Sequence, residues 1–436
     1  MTKQKKKGNI AVIGMALFAM FFGAGNLIFP PYLGLISGKS WGIGLLCFVL
    51  VDVGMACVAV FAMSRGDGTI ASVTGIIGRK TAVLINTAIV VCIGPLLAIP
   101  RTAATTFEMA ALPLVPESAN YRAVFYIAFF LVAFLLTIRK SKVVDIVGKF
   151  LTPVMVIALV IFKGIFSPIG EIQPGVPYTE AAQEGIIAGY QTMDILAALA
   201  FAIIIISSVH EKGYKETRER NWAMMGACII AGAGLTFVYG GLTYLGATVS
   251  GQYDSSISQA ELIMEIIRNI LGYRGMQLLG IVVGLACMTT AIGLISASAS
   301  YFEELFKGKV NYRVIVTVIT LFSIIISNFG LSTIIQIANP ILNLVYPVVV
   351  TLILCSFLSE DMKKSYFPKG AALGALLTSV CIVLESFGVE IGALNMLPLN
   401  ELGLEWMLPA VVFGLVGVCI QKCKKMSNRQ RIIWQG

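Results

Sequence analysis

Histidine is all but missing from this chain. His210 is the single one in 436 residues, which excludes a His-rich metal centre and a His-based catalytic cluster. Charge is scarce too: Asp, Glu, Lys and Arg make up 13% of the residues, about half the share of an ordinary soluble domain. With 57% of its residues hydrophobic, a water-soluble fold would lack the polar surface to cover itself, and lipid removes that requirement. The nine cysteines form no CxxC pair and sit mostly within apolar stretches. Cys419 and Cys423 stand four apart with no partner motif after them. Buried free thiols are the expected outcome. No basic helix or aromatic–basic module accompanies the net charge of +9, so nucleic acid is excluded as a partner. Nor do paired carboxylates with a nucleophile or metal ligands collect at one membrane face, which argues against an enzyme and against a resident cofactor. The apolar run after Lys7 is too long for a cleavable signal, and no small-residue cleavage site follows it.

What the chain does have is a succession of long apolar runs. A bilayer core takes about 20 apolar residues per helix. Spans are expected near 10–36, 42–63, 83–111, 122–138, 144–164, 186–209, 222–248, 275–302, 311–328, 334–358, 370–388 and 406–421. The runs are continuously apolar rather than alternating, so helices are expected and not a β-barrel. The chain reads as an all-α polytopic membrane protein with about twelve transmembrane helices, a single domain over 1–436. Basic residues test that reading, because they concentrate on the cytoplasmic side. With the N-terminus inside, the outer segments hold only Lys39, Arg122, Lys163, Arg268 and Arg274 of the 32 Lys and Arg residues. Arg101 lies within the third span, and every other one falls inside. A single miscounted span would invert each later loop and destroy the asymmetry. Both termini are therefore expected in the cytoplasm of a bacterium, with the chain in its inner membrane.

Backbone groups in lipid must be satisfied within their own helix. The stretch Phe22-Gly23-Ala24-Gly25-Asn26-Leu27-Ile28-Phe29-Pro30-Pro31 breaks that pattern in the first span. Two glycines, an asparagine and a double proline do not continue a regular helix comfortably. Unwound backbone near the bilayer centre offers N–H groups to a carboxylate and C=O groups to an ammonium or a sodium ion. The same small residues also suit a close helix–helix contact. In the sixth span, Asp194 follows Gly189-Tyr190-Gln191-Thr192-Met193 within an apolar run, yet no glycine or proline beside it marks an interruption. An acid there costs ~2.5–3.5 kcal/mol to insert and usually faces a cavity. In the eighth span, Ala286-Cys287-Met288-Thr289-Thr290 offers two hydroxyls and a carbonyl one turn earlier as hard ligands for a small cation. Threonines in membrane helices also back-bond to their own helix. Arg101 and Glu108, seven apart on the third span, are expected as a structural or gating ion pair, with Pro95 and Pro100 bending that span. Asp52 reads either as a proton site or as a hydrogen-bonded anchor. The first and sixth spans lie five helices apart, the spacing of two inverted repeats (10–164 and 186–358), with two helices added over 370–421.

Four segments carry a family resemblance. Met15 to Pro31, Ile93-Gly94-Pro95-Leu96-Leu97-Ala98-Ile99-Pro100-Arg101-Thr102-Ala103, Gly189 to Asp194 with the Ala-rich run after it, and Cys287 to Gly293 resemble, in order, motifs of the branched-chain amino acid:cation symporters. The resemblance runs from about residue 10 to 420. It implies a LeuT-like fold of five-plus-five inverted repeats and import of leucine, isoleucine and valine with sodium or protons. The implied substrate site is Phe22, Gly23, Ala24, Gly25 and Asn26 with Thr192, Met193, Asp194, Ala197, Ala198 and Phe201. The implied sodium site is Ala19 and Phe22 with Ala286, Thr289 and Thr290. An exchanger or exporter with the same site, a channel and a membrane enzyme are the rival readings. The residues leave the coupling ion and the oligomeric state open.

Overall fold

The computed structural model describes residues 3–113, 118–138, 169–214 and 216–433. Those residues are almost wholly helical; one isolated antiparallel bridge, Gly38 to Pro174, ties the outer end of the first span to the loop before the sixth. Nine of the described helices are long and apolar enough to cross a membrane, and ten with the bent pair Asn9–Phe21 and Ala24–Ser37 counted as one span. The shorter apolar helix Tyr312–Ser327 falls on the ninth expected span. The fifth expected span, 144–164, lies outside the described residues.

Several boundaries differ from the expected ones, the starts of the sixth and eighth spans among them. The helix of the sixth span begins at Tyr178 rather than near 186, and that of the eighth runs from Gln259 to Leu305. Both extensions are amphipathic turns with acids, Glu180 and Glu261, in their first turn. A hydropathy pattern discards such turns although they continue the helix. Gly272, at φ 66°, kinks the longer helix just before its apolar part.

The helices fall into two groups. Asn9–Phe21, Ala24–Ser37 and Trp41–Arg65 pack with the sixth span and with Thr217–Thr248, the seventh. The third span packs with Ala119–Thr137, the eighth span and Tyr312–Ser327. Within the first group two backbones nearly touch. A methyl on Gly34 would fall on the carbonyl of Thr243, and one on Gly246 on the carbonyl of Pro31. Small residues give membrane helices this approach, where no hydrophobic force drives them together. Large side chains fill the middle, Phe21, Phe22, Phe107, Tyr239 and Tyr346 among the fully buried ones. The outer helices Ala119–Thr137 and Met407–Lys424 are mostly uncovered, presenting Val124, Leu131, Val411 and Leu415. Such apolar surface is stable in lipid and not in water.

Candidate functional site

The first span comes apart at two residues. Its first half ends at Phe21, Gly23 is extended at φ −107° and ψ −173°, and a new helix starts at Ala24, bent by 72° from the first. Phe22 N–H donates to Phe18 O at 2.9 Å and Gly23 N–H to Phe21 O at 2.9 Å. The interruption is narrower than expected, since Ala24, Gly25 and Asn26 form the first turn of the second half instead of staying unwound. Their N–H groups have no helical acceptor and no side-chain cap at Gly23. They carry the positive end of a helix dipole toward the break. Pro30 and Pro31 also do not break the helix, which continues through both. Having no N–H, they free the carbonyls of Asn26 and Leu27 one turn earlier.

The sixth span breaks at one residue. Met193 adopts φ 66° and ψ 17°, joining a helix that ends at Thr192 to one that starts at Asp194. A left-handed methionine is uncommon and costs roughly 1–2 kcal/mol. The surrounding packing holds it there, for Met193 is 1% exposed. Asp194 opens the new helix, where its charge favours the helix amino end.

Both breaks open onto one small cavity of about 30 Å³, room for roughly two water molecules. Of the expected substrate residues, Gly23, Ala24, Gly25, Asn26, Thr192, Met193, Asp194, Ala197 and Phe201 line it. Phe22 and Ala198 are buried behind the lining. Met20, Ile93, Ala98, Thr102 and Leu294 add walls that sequence reasoning did not single out.

A buried polar network surrounds the cavity. Asn26 Nδ2 donates to Asp194 Oδ2 at 2.8 Å and also to the Tyr239 hydroxyl. Thr192 Oγ1 donates to Asp52 Oδ1 at 2.6 Å. Asp52 and Asp194 are both buried, and Asp52 Oδ2 has no hydrogen-bond partner among the described residues. Gln191 reaches Asn339 on the tenth span. Arg101, 4% exposed, donates from Nη2 to Thr192 O at 2.9 Å and from Nη1 to Gln191 O. The expected Arg101–Glu108 pairing is therefore corrected. The guanidinium turns to the sixth span, while Glu108 accepts from Leu331 N–H at 3.2 Å, at the start of the tenth-span helix. Two turns of helix separate the two side chains by about 10 Å, so neither is the other's nearest partner. The expected bend in the third span is real: Gly94 is non-helical and Pro95 follows it, whereas Pro100 sits in the first turn of the next helix, where a proline fits. A guanidinium inside a membrane span needs acceptors, and that requirement was the sequence signal for Arg101.

The residues suggested for sodium are less gathered. Thr290 lines the cavity, its Oγ1 3.8 Å from where a Gly23 Cβ would stand. Thr289 Oγ1 back-bonds to Ala286 O at 2.8 Å. Ala286 is buried and Ala19 half-buried, and neither lines the cavity. Among the described residues no group of three His, Cys, Asp or Glu side chains is placed to hold a metal ion.

Comparison with known proteins agrees with this architecture. A family model described as branched-chain amino acid transport protein matches residues 6–424. The branched-chain amino acid permease BrnQ of Bacillus subtilis is 35% identical over 430 residues, covering 96% of this chain and 98% of its own. The branched-chain amino acid transport system 2 carrier protein of Pseudomonas aeruginosa is 34% identical, covering 97% and 98%. Among solved structures, Mhp1, a nucleobase-cation-symport-1 family transporter in a closed conformation, aligns with TM-score 0.60 at 12% identity over 94% of this chain and 91% of its own. A Na+-coupled sialic acid symporter in an outward-open state aligns with TM-score 0.61 at 10% identity over 94% and 90%. These two establish the fold as LeuT-like. A helical membrane protein broken at its first and sixth spans, alike over nearly its whole length to permeases named for one substrate class, is not an enzyme, and the chain belongs to the branched-chain amino acid transport family.

Proposed function

We propose that this protein imports leucine, isoleucine and valine across the bacterial inner membrane, both termini cytoplasmic, by symport with a sodium ion or a proton. One observation carries the proposal: two helix breaks put peptide dipoles of both signs beside a cavity that also has a set of apolar walls. The N–H groups of Ala24 and Gly25 suit a carboxylate, and the carbonyl end at Gln191 and Thr192, with Asp194, suits an ammonium. Met20, Ile93, Ala197, Phe201 and Leu294 suit an aliphatic side chain. Methylene groups alone are worth ~1–3 kcal/mol in such a pocket, so all three branched substrates are accepted. The cavity as it stands is smaller than any of them, and its walls part to admit one.

Each coupling ion has its own residues. Sodium has the oxygens of Thr289, Thr290 and Ala286 on the eighth span, with the carbonyls of Ala19 and Phe22. A proton has Asp52 and Asp194. Uptake of labelled isoleucine into proteoliposomes, driven separately by a sodium gradient and by a proton gradient, decides between them. Thr289→Ala abolishes sodium dependence if the first set is used, and unchanged sodium coupling removes that set. Uptake without concentration under either gradient sinks the symport reading and leaves an exchanger.

A further inference from the structure

Arg101 stands on one group of helices and holds the other. It belongs to the third span, which packs with the eighth and ninth, yet its guanidinium caps Gln191 O and Thr192 O of the sixth. These carbonyls end a half-helix and carry the negative end of its dipole. They are the acceptors that a substrate's ammonium would use. The guanidinium is also 5.7 Å from the centre of the Phe29 ring. Its Nη2 stands 2.9 Å from where a Cβ on Gly25 would be, so the glycine leaves room for it. Asp194 lines the same cavity as Arg101. Arg101 thus spans the second half of the first helix and the first half of the sixth at the cavity wall.

We infer that Arg101 is a resident stand-in for the substrate's ammonium: it fills the carbonyl site when the carrier moves empty and yields the site when an amino acid binds. This rests on the proposed reading of the cavity as an amino acid site. The physical case is one of compensation. Unsatisfied carbonyls and a carboxylate facing a closed cavity within the bilayer are costly. A loaded carrier satisfies them with the substrate, and an unloaded one needs another cation to close around. Arginine provides it from the opposite helix group, so its bonds hold the two groups together in the closed form. The device makes Arg101 necessary for the empty return step of net transport. It is unnecessary for exchange, in which the carrier crosses loaded in both directions.

Proteoliposomes containing the full chain test this. Wild type and Arg101→Gln are compared in net uptake of labelled leucine under an imposed gradient, and in leucine–leucine exchange with saturating leucine on both sides. Net uptake by Arg101→Gln is expected to fall about tenfold further than exchange does, the worth of one charge-assisted hydrogen bond. Arg101→Lys, which keeps a cation, is expected to retain part of the net uptake. Parallel loss of both activities, or loss of neither, overturns the inference. A second measurement needs no transport. Guanidinium chloride at low millimolar concentration should raise the melting temperature of Arg101→Ala and leave wild type unmoved, and equal response in the two proteins overturns the inference as well. Wild type inactive toward leucine in both assays would instead overturn the proposed function, with the guanidinium measurement still standing as the test of Arg101.

Discussion

Asn26 donates its side-chain amide to Asp194 Oδ2 at 2.8 Å, and that bond joins the second half of the first span to the second half of the sixth. Both residues lie in the first turn beyond a break. The bond therefore links the two helix starts beyond the breaks directly, without passing through intervening helices.

Removing it should hurt more than its own strength. Asn26→Leu keeps the size of the side chain and leaves the Asp194 oxygen and the Tyr239 hydroxyl without this donor. A buried group left unsatisfied costs about 1–3 kcal/mol. The expected result is a lowered melting temperature in detergent and leucine uptake reduced at least tenfold, about 1.4 kcal/mol in rate. Unchanged uptake would show that the bond does not hold the site.

The crossing of the first and seventh spans gives a packing test with an internal control. Gly246→Ala puts a methyl onto the Pro31 carbonyl, and backbone cannot step aside as a flexible side chain can. Overpacking of this kind costs ~1–3 kcal/mol. Gly42→Ala meets nothing within 4 Å on its helix and gains up to ~1 kcal/mol of helix propensity. Melting temperatures should move in opposite directions, and equal shifts would contradict the close approach.

Substrate preference should be tunable at Ala197. This residue, on the second half of the sixth span, lines the cavity. Ala197→Val removes space that the longer side chains need. KM is expected to rise more for leucine and isoleucine than for valine, by about ten- to two-hundredfold for the one methylene by which they exceed it. A uniform rise across the three would mean that Ala197 does not bound the aliphatic pocket.

Outside the spans, Glu405 supplies a pH test. It is 5% exposed in the loop leading into the last span, and its Oε2 has no partner among the described residues. Burial pushes its carboxyl above the ordinary value, with the Glu385 carboxylate adding to the effect. A raised carboxyl binds its proton more readily when folded. It therefore favours the folded state below the unfolded value of ~4.3 and loses that contribution as pH rises through the folded value. Glu405→Gln should raise the melting temperature at neutral pH, and the gap should close on acidification. A gap independent of pH would assign the effect to packing.

The parts of the fold that could be read from residue order are those a helix writes into its own stretch of chain. Length and apolarity gave the spans, and Gly23 with Gly25 and Asn26 gave the first break, because glycine removes the side chain that would otherwise hold a helix closed. The sixth break has no such mark. Met193 is left-handed and buried, and methionine alone prefers otherwise. The double proline misled in the opposite direction: Pro30 and Pro31 leave carbonyls free but stay in the helix, braced against the seventh span. Arg101 was visible as a charge in lipid, yet its partners come from a helix about 90 residues onward. Helical spacing can propose only neighbours on the same helix, which is why Glu108 looked like its mate.

The two breaks leave four helix ends facing one another, two rich in N–H and two rich in C=O. A plain amine or a plain fatty acid finds half of these ends welcoming and the other half hostile. In the proposed reading, a molecule with an ammonium and a carboxylate on one carbon answers all four. On that reading the rejection of singly charged metabolites is lodged in the main chain, and it should outlast drift in the side chains around it.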